Sequence, residues 1–138
     1  MRTPTLIVPV ICMLVAACSD VTSSDSITGT YTLRTVNGDV VPAVIYDSDS
    51  GTEEVLDGSV RLDEDGSGSI IIRVRSTLGG GAPETETRTA NGTYTRSGST
   101  ITITFLDEGE TVTQVGQLQG ETLMFMDDLG GDVYVFRK

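Results

Sequence analysis

"GTYTLRTVNG", residues 29–38, sets the fold class of this 138-residue chain. Within it, the large apolar residues Tyr31 and Leu33 alternate with threonine and arginine, which is the period of a β-strand with one buried face. Asn37-Gly38 follows at once, and this dipeptide is a strong signal for a two-residue hairpin turn. The stretch therefore predicts a strand that turns back into an antiparallel partner.

The rest of the chain keeps the same pattern as far as the C-terminus. Short runs rich in Val, Ile, Thr, Tyr and Phe alternate with clusters of Gly, Asn, Asp and Ser, and no run has the period of an amphipathic helix. Pro42 weakens the second run, because proline has no N–H to donate to a ladder. The predicted strands are residues 28–36, 40–46, 53–62, 69–76, 84–95, 100–106, 110–118, 121–126 and 133–137.

Dipeptides between these runs predict how the strands are connected. Asp65-Gly66, Ser97-Gly98 and Gln119-Gly120 suit tight turns, so neighbouring strands are expected to pair antiparallel. Asn91-Gly92 lies inside a long polar run and is interpreted as a β-bulge, because a turn there would leave a strand of only four residues before the next turn.

An antiparallel chain with such short links can form a sandwich or a barrel, and only closure removes the exposed strand edges. We therefore expect an all-β fold, an antiparallel up-and-down meander barrel of about eight to nine strands. Alternation assigns the outer face to Thr30, Thr32, Arg34, Arg61, Arg73, Arg75, Thr102 and Thr104. It assigns the inner face to Tyr31, Leu33, Leu56, Val60, Leu62, Ile70, Ile72, Val74, Ile101, Ile103, Phe105, Leu123, Phe125, Val133 and Val135.

Two stretches depart from this assignment. Met124, Met126, Tyr134 and Phe136 fall on the face that alternation makes outer, so either the register is reversed locally or they form a partner-binding patch. The stretch "GGGAPETETRT", residues 79–89, has two polar faces. It fits either a mobile loop at a barrel mouth or a hairpin with an exposed edge.

Residues 1–17 differ from everything that follows. Arg2 precedes an apolar run, Leu6 to Ala17, which is shorter than the roughly 20 residues that a permanent membrane helix needs. This layout predicts a cleaved secretory signal.

The two cysteines lie on either side of the predicted cleavage site. Cys12 lies inside the segment to be removed, so Cys18 would have no disulfide partner. Residues 18–26 are rich in Ser and Asp and are interpreted as a flexible tether before a barrel domain at 27–138.

"VAAC", residues 15–18, resembles the lipoprotein signal motif of bacteria. The resemblance implies cleavage before Cys18 and attachment of diacylglycerol to its sulfur, with acyl chains holding the protein at a membrane. Ser19, by resemblance to enterobacterial sorting, implies the periplasm-facing leaflet of the outer membrane. The alternative is an ordinary cleaved signal followed by a free thiol.

Charge and composition narrow the possible functions. The chain has 9 basic and 20 acidic residues, which give a net charge of −11, and this negative charge repels the phosphate backbone of nucleic acids.

The residues for catalysis are also few. There is no histidine, and Lys138 is the only lysine, so the familiar serine nucleophile arrangements cannot be assembled and no enzyme is expected. The acidic stretches at 47–54 and 63–68 lack the full calcium-loop pattern, and we expect plain turns without a metal or cofactor.

A second resemblance concerns the barrel itself. Gly29-Thr30-Tyr31 and Arg137 in the final "VYVFRK" resemble the Gly-x-Trp motif and late basic residue of lipocalins and related calycins, although tryptophan is absent here. The resemblance implies that Arg137 lies across the Tyr31 ring at the closed end of the barrel.

Two functional classes stay open for such a domain. One is a lipid-anchored envelope protein that binds a small apolar ligand, and the other is an envelope protein-binding or structural module with a filled barrel. In the first case, the ligand would contact the inner face. The residues expected to line that cavity are Tyr31, Leu33, Val60, Leu62, Ile70, Ile72, Val74, Ile101, Ile103, Phe105, Leu123, Phe125, Val133 and Val135.

Overall fold

The computed structural model describes residues 26–107, 109–127 and 131–138, so the predicted signal segment and Cys18 lie outside the described residues. The described part contains ten β-strands and no helix. The strands are β1 (Gly29–Val36), β2 (Asp39–Val40), β3 (Ala43–Ser48), β4 (Gly51–Leu62), β5 (Ser67–Leu78), β6 (Glu84–Ser97), β7 (Thr100–Asp107), β8 (Glu110–Gln119), β9 (Thr122–Met126) and β10 (Val133–Arg137).

Eight of these strands form one closed barrel. Strands β4 to β10 pair antiparallel in chain order, and β1 completes the circle by pairing with both β10 and β4. The other two strands are additions to this barrel: β2 pairs with the end of β1, and β3 pairs with the first half of β4. The structure therefore confirms the predicted fold class, an all-β antiparallel up-and-down barrel.

The opening hairpin forms where the sequence predicts it. Val36 pairs with Asp39 across a two-residue turn, in which Asn37 and Gly38 have φ angles of 54° and 91°. A tight hairpin turn of this kind needs positive φ at both central positions, and Asn-Gly tolerates that conformation best. Asn37 also binds the start of β10, because its backbone N–H donates to the carbonyl oxygen of Val133 at 2.8 Å.

The predicted second strand is interrupted. Its residues divide between β2, which ends at Val40, and β3, which begins at Ala43, and the Val41-Pro42 peptide bond between them is cis. Proline cannot donate a ladder hydrogen bond, which explains why the run does not continue through this position.

The predicted bulge at Asn91-Gly92 is wrong. Strand β6 pairs with β5 through both residues without a shift of register. A Cβ atom on Gly92 would lie 2.0 Å from the backbone oxygen of Thr104, so this glycine permits a close approach of β6 and β7. The signal in the sequence was a glycine required by strand packing and not by a bulge.

The centre of the barrel consists of apolar side chains. Most residues predicted to face inward have at most 4% of their surface exposed: Tyr31, Leu33, Val60, Leu62, Val74, Ile101, Ile103, Leu123 and Phe125. Ile70, Ile72 and Phe105 are half-buried and pack against this core. Leu56 was assigned wrongly, because a register shift between Val55 and Asp57 turns Val55 inward instead.

Strand β10 has the opposite register from the one predicted. Phe136 pairs with Leu123 and is 1% exposed, whereas Val135 pairs with Met124 on the outer side of the barrel. Tyr134 faces inward with Phe136, and Val133 faces outward with Val135. The sequence could not decide this, because the "VYVF" of β10 is apolar on both faces.

The two ends of the barrel differ in the length of the strands around them. We call the end where β1 begins and β10 finishes the closed end, and the opposite end the mouth. Strand β6 pairs with β5 from Glu84 to Thr93, but its described pairing with β7 begins only at Gly92. The first half of β6 therefore extends past β7 and leaves a gap in the barrel wall on the side of the mouth.

Candidate ligand cavity at the barrel mouth

A cavity of about 210 Å³ enters the barrel from the mouth. Strand β5 supplies its aliphatic wall at alternate positions, since Ile70, Ile72 and Val74 all point inward. Phe125 and Phe136 form the aromatic wall, with ring centroids 6.2 Å apart and planes at 80°, an edge-to-face contact. The remaining lining residues are Arg88, Gln114, Asp127 and Tyr134.

Polar side chains lie around this apolar cavity at its outer rim. The Nη1 of Arg88 donates to Glu53 at 3.0 Å, and its Nε donates to Glu86 at 3.2 Å. Gln114 donates through Nε2 to the carbonyl oxygen of Met126 at 2.5 Å. The arrangement, an apolar pocket with few oriented polar groups, is typical of a site for a small molecule.

Burial, with a smaller contribution from nearby carboxylates, keeps the Tyr134 hydroxyl protonated. Burial is the largest cause that raises the pKa of Tyr134 to about 12, and Asp132, Asp127 and Glu53 add to it, while Arg88 acts in the opposite direction. The phenol is therefore neutral at physiological pH and can donate or accept a hydrogen bond.

A larger groove of about 540 Å³ adjoins the cavity on the side of β6. Both spaces are lined by Ile70, Ile72 and Arg88, and the groove continues past Ala90 to Phe105. The groove lies where β6 extends beyond β7, so the gap in the wall gives the cavity a lateral opening.

The stretch at residues 79–89 forms a turn and the first part of a hairpin strand. Its charged residues Glu84, Glu86 and Arg88 lie at the mouth.

At the closed end, residues 26–27 and the C-terminal Lys138 contact Tyr31 and each other, and they line an open, partly polar groove of about 590 Å³. Tyr31 is 1% exposed and donates its hydroxyl to the carbonyl oxygen of Ile27 at 2.7 Å. The Nζ of Lys138 lies 5.9 Å from the centroid of the Tyr31 ring and donates to the carbonyl oxygen of Ser26 at 2.9 Å. These contacts bind Ser26 and Ile27 across the base of the barrel.

The cation over Tyr31 is therefore Lys138 and not the predicted Arg137. Arg137 pairs with Thr32 and Thr122, and its side chain is exposed. The reversed register of β10 explains the difference, because a shift of one residue exchanges the two faces of a strand. The residue that follows Phe136 on the inner side is Lys138.

The predicted cavity-lining residues divide among five locations. Ile70, Ile72, Val74 and Phe125 line the mouth cavity. Phe105 lines the adjoining groove and Tyr31 the closed end. Val133 and Val135 face outward. The others fill the core with at most 2% exposure: Leu33, Val60, Leu62, Ile101, Ile103 and Leu123.

Sequence reasoning missed five residues of the cavity: Arg88, Gln114, Asp127, Tyr134 and Phe136. Tyr134 and Phe136 were assigned to the outer face, and their size relative to the valines beside them was the available signal, since large aromatic rings favour the interior. Arg88 lies in the polar stretch 79–89, for which the sequence left a mobile loop and a hairpin with an exposed edge open. The sequence contains no signal that would assign Gln114 to a cavity, because a single glutamine is common in a polar strand.

An apolar patch remains on the outer face of β8, β9 and β10. Val115, Met124 and Met126 are 51%, 38% and 57% exposed. Val135 and Val133 pair with the two methionines and extend this outer patch. Of the two alternatives that the sequence left open for this set, a locally reversed register applies to Tyr134 and Phe136, which face the interior, and an exposed patch to Met124 and Met126.

The acidic turns show ordinary turn chemistry. Asp65 accepts hydrogen bonds from the hydroxyl and the backbone N–H of Ser67 at 2.6 and 2.9 Å, and these bonds lower its pKa. Over residues 26–107, 109–127 and 131–138, no group of three or more His, Cys, Asp or Glu side chains could hold a metal ion. Within the same ranges, no helix is long and apolar enough to cross a bilayer.

Comparisons with known proteins add no relationship. No protein-family model matches this chain, and a search of curated proteins gives no significant match. The geometry of the barrel and the motifs in the sequence are therefore the basis on which a function can be assigned.

Proposed function

We propose that this protein is a lipid-anchored protein of the bacterial cell envelope whose lipocalin-like barrel binds a small apolar molecule at its mouth. The observation that carries the proposal is the cavity of about 210 Å³, whose walls are aliphatic and aromatic. The proposal assigns a binding role and no catalytic one.

The size of the cavity limits the ligand. Pockets for drug-sized molecules measure roughly 300–1,000 Å³, so a compact ring or a short alkyl chain suits this cavity better than a long acyl chain held inside the barrel. A longer ligand would have to extend past Arg88 into the adjoining groove of about 540 Å³.

The anchor is proposed at Cys18, on the strength of the Val15 to Cys18 motif. Ser26 and Ile27 lie at the closed end, so an anchor at Cys18 would attach the barrel through that end and leave the mouth free of the tether. Such an arrangement suits a carrier that exchanges its ligand with the periplasm. Mass spectrometry of the native protein should find acyl chains on Cys18, and Cys18→Ser should release the protein from membranes.

The binding role can be tested with a neutral apolar fluorophore, N-phenyl-1-naphthylamine. The described barrel closes on its own core, so we expect the mature chain from residue 18, carrying Cys18→Ser, to fold without its anchor. It should bind the fluorophore saturably. Ile72→Trp should abolish binding by filling the cavity, while Ile71→Trp, on the outer face of the same strand, should not. No saturable binding by the folded chain would contradict the proposal.

A second candidate is an envelope protein-binding module, which the outer patch around Val115, Met124 and Met126 favours. Exposed contiguous apolar residues are typical of sites for protein partners. In this case, Met124→Lys with Met126→Lys should reduce crosslinking to an envelope protein, and Ile72→Trp should leave the crosslink unchanged.

A further inference from the structure

The charges around the mouth are unequal in sign. Among the residues that the structure describes, one cationic group, Arg88, and four carboxylates lie within hydrogen-bonding or electrostatic reach of the cavity: Glu53, Glu86, Asp127 and Asp132. Arg88 is also the one cationic residue among the nine that line the cavity. The rim therefore carries a local charge of −3, the difference between four acidic groups and one basic group.

From this arrangement we infer that the mouth cavity selects apolar molecules that carry a positive charge, the chemical class of lipophilic amines and alkyl quaternary ammonium ions. The apolar part would lie between Ile72, Phe125 and Phe136, with the cation at the rim beside Glu53 and Glu86. The inference rests on the proposed function, since it assigns the ligand class of the same cavity.

Two titratable groups indicate the sign of the field at the rim. Besides burial, three carboxylates raise the pKa of Tyr134, and Arg88 does not cancel them. Burial acts to lower the pKa of Arg88, yet Glu53 and Glu86 outweigh it and the pKa is raised. Both groups hold their protons more tightly than usual, as expected where the potential is negative.

The aromatic residues of the cavity favour the same ligand class. The rings of Phe125, Tyr134 and Phe136 all line the space below the rim. Aromatic faces attract cations, and quaternary ammonium groups in particular bind well among several rings. A cation at the rim would therefore meet both the carboxylates and the upper edge of this aromatic wall.

The carboxylates at the rim would repel an anionic amphiphile. The anionic group would be expected to pair with Arg88, but the Arg88 guanidinium already donates hydrogen bonds to Glu53 and Glu86. A carboxylate or sulfate would have to displace one of these acidic side chains or lie close to both of them. A fatty acid is therefore the wrong class of ligand for this mouth, although its alkyl chain alone would suit the walls.

Three amphiphiles with the same alkyl chain test the inference: octyltrimethylammonium, octanol and octyl sulfate. Each is titrated into the mature Cys18→Ser chain, below its critical micelle concentration, as a competitor of N-phenyl-1-naphthylamine. We expect the cation to bind at least about tenfold more tightly than the sulfate, with octanol between them and the difference reduced in high salt.

A matched pair of variants separates the rim from the overall negative charge of the protein. Glu53→Gln with Glu86→Gln removes two rim charges, and Glu64→Gln with Glu121→Gln removes two charges at the closed end. The rim pair should reduce the preference for the cation several-fold, and the closed-end pair should leave it unchanged.

The outcomes distinguish this inference from the proposal beneath it. Binding of octanol with no preference for the cation, or equal effects of the two variant pairs, would overturn the charge selection and leave the apolar site standing. Failure of all three compounds to compete would overturn both. A preference for the cation that only the rim pair reduces would support the inference.

Discussion

The closed end and the mouth are built from the same eight strands but differ in how completely side chains fill them. At the closed end, Leu62 and Tyr31 are at most 1% exposed, and Ile27 and Lys138 contact Tyr31 at the base. At the mouth, Ile70 and Ile72 are only half-buried, because β6 extends past β7 and no described strand covers them. The comparison shows that the alternation of apolar and polar residues determines which side chains face the interior of the barrel. The positions at which neighbouring strands end determine where a cavity is left among those side chains.

The largest expected effect is a difference in core truncations between the two ends. Leu62→Ala removes a side chain that is 0% exposed and should cost about 3–5 kcal/mol of unfolding free energy. Ile72→Ala should cost about 1–2 kcal/mol, because this side chain already borders a cavity. Urea unfolding with unchanged m-values would measure both. Equal losses would mean that the mouth is packed as tightly as the base.

A smaller effect is expected from the titration of Tyr134 at the mouth. Its pKa is about 12 in the folded chain, against an ordinary value of 10.0. A raised pKa stabilises the folded state below pH 10, and this contribution is lost as the pH rises from 10 through 12. After allowance for solvent screening, the loss should be about 1–2 kcal/mol.

Tyr134→Phe isolates this contribution from the other groups that titrate at high pH. The variant should lose less stability than the wild type between pH 10 and pH 12, as measured by urea midpoints at each pH. Parallel curves for the two proteins would show that Tyr134 has an ordinary pKa and that the rim is solvated.

The smallest expected effect is the coupling of the cation and the ring at the closed end. A double-mutant cycle of Tyr31→Leu with Lys138→Met should show a coupling of about 0.5–1 kcal/mol, since the ammonium lies 5.9 Å from the ring centroid. The matched cycle with Arg137→Met should show none. Coupling to Arg137 instead would mean that β10 has the register first expected from the sequence.

Much of the fold could be predicted from the sequence because one physical pattern dominates it. Strands such as β1 and β7 alternate apolar and polar residues cleanly, so Leu33, Ile101 and Ile103 could be assigned to the core. The hairpin at Asn37-Gly38 followed from backbone conformation alone. These predictions needed no information from distant parts of the chain.

The remaining features depend on contacts that a local pattern does not contain. The register of β10 is set by its pairing with β9, and a register shift in β4 exchanges Leu56 for Val55. The mouth cavity depends on where β7 ends beside β6, and Arg88 reaches it only through the pairing of β6 with β5. The candidate site was therefore only partly predictable, through its aliphatic wall on β5.

The central claim is that the mouth, and not the closed end, accepts an apolar molecule. Methyl-labelled protein titrated with octanol and followed by NMR tests it most directly, because both ends report in one spectrum. We expect saturable shifts for the methyl groups of Ile70, Ile72 and Val74 at the mouth, with none for Ile27 and Leu118, which line the groove at the closed end. Saturable shifts confined to the second group, or no saturable shift at all, would contradict it.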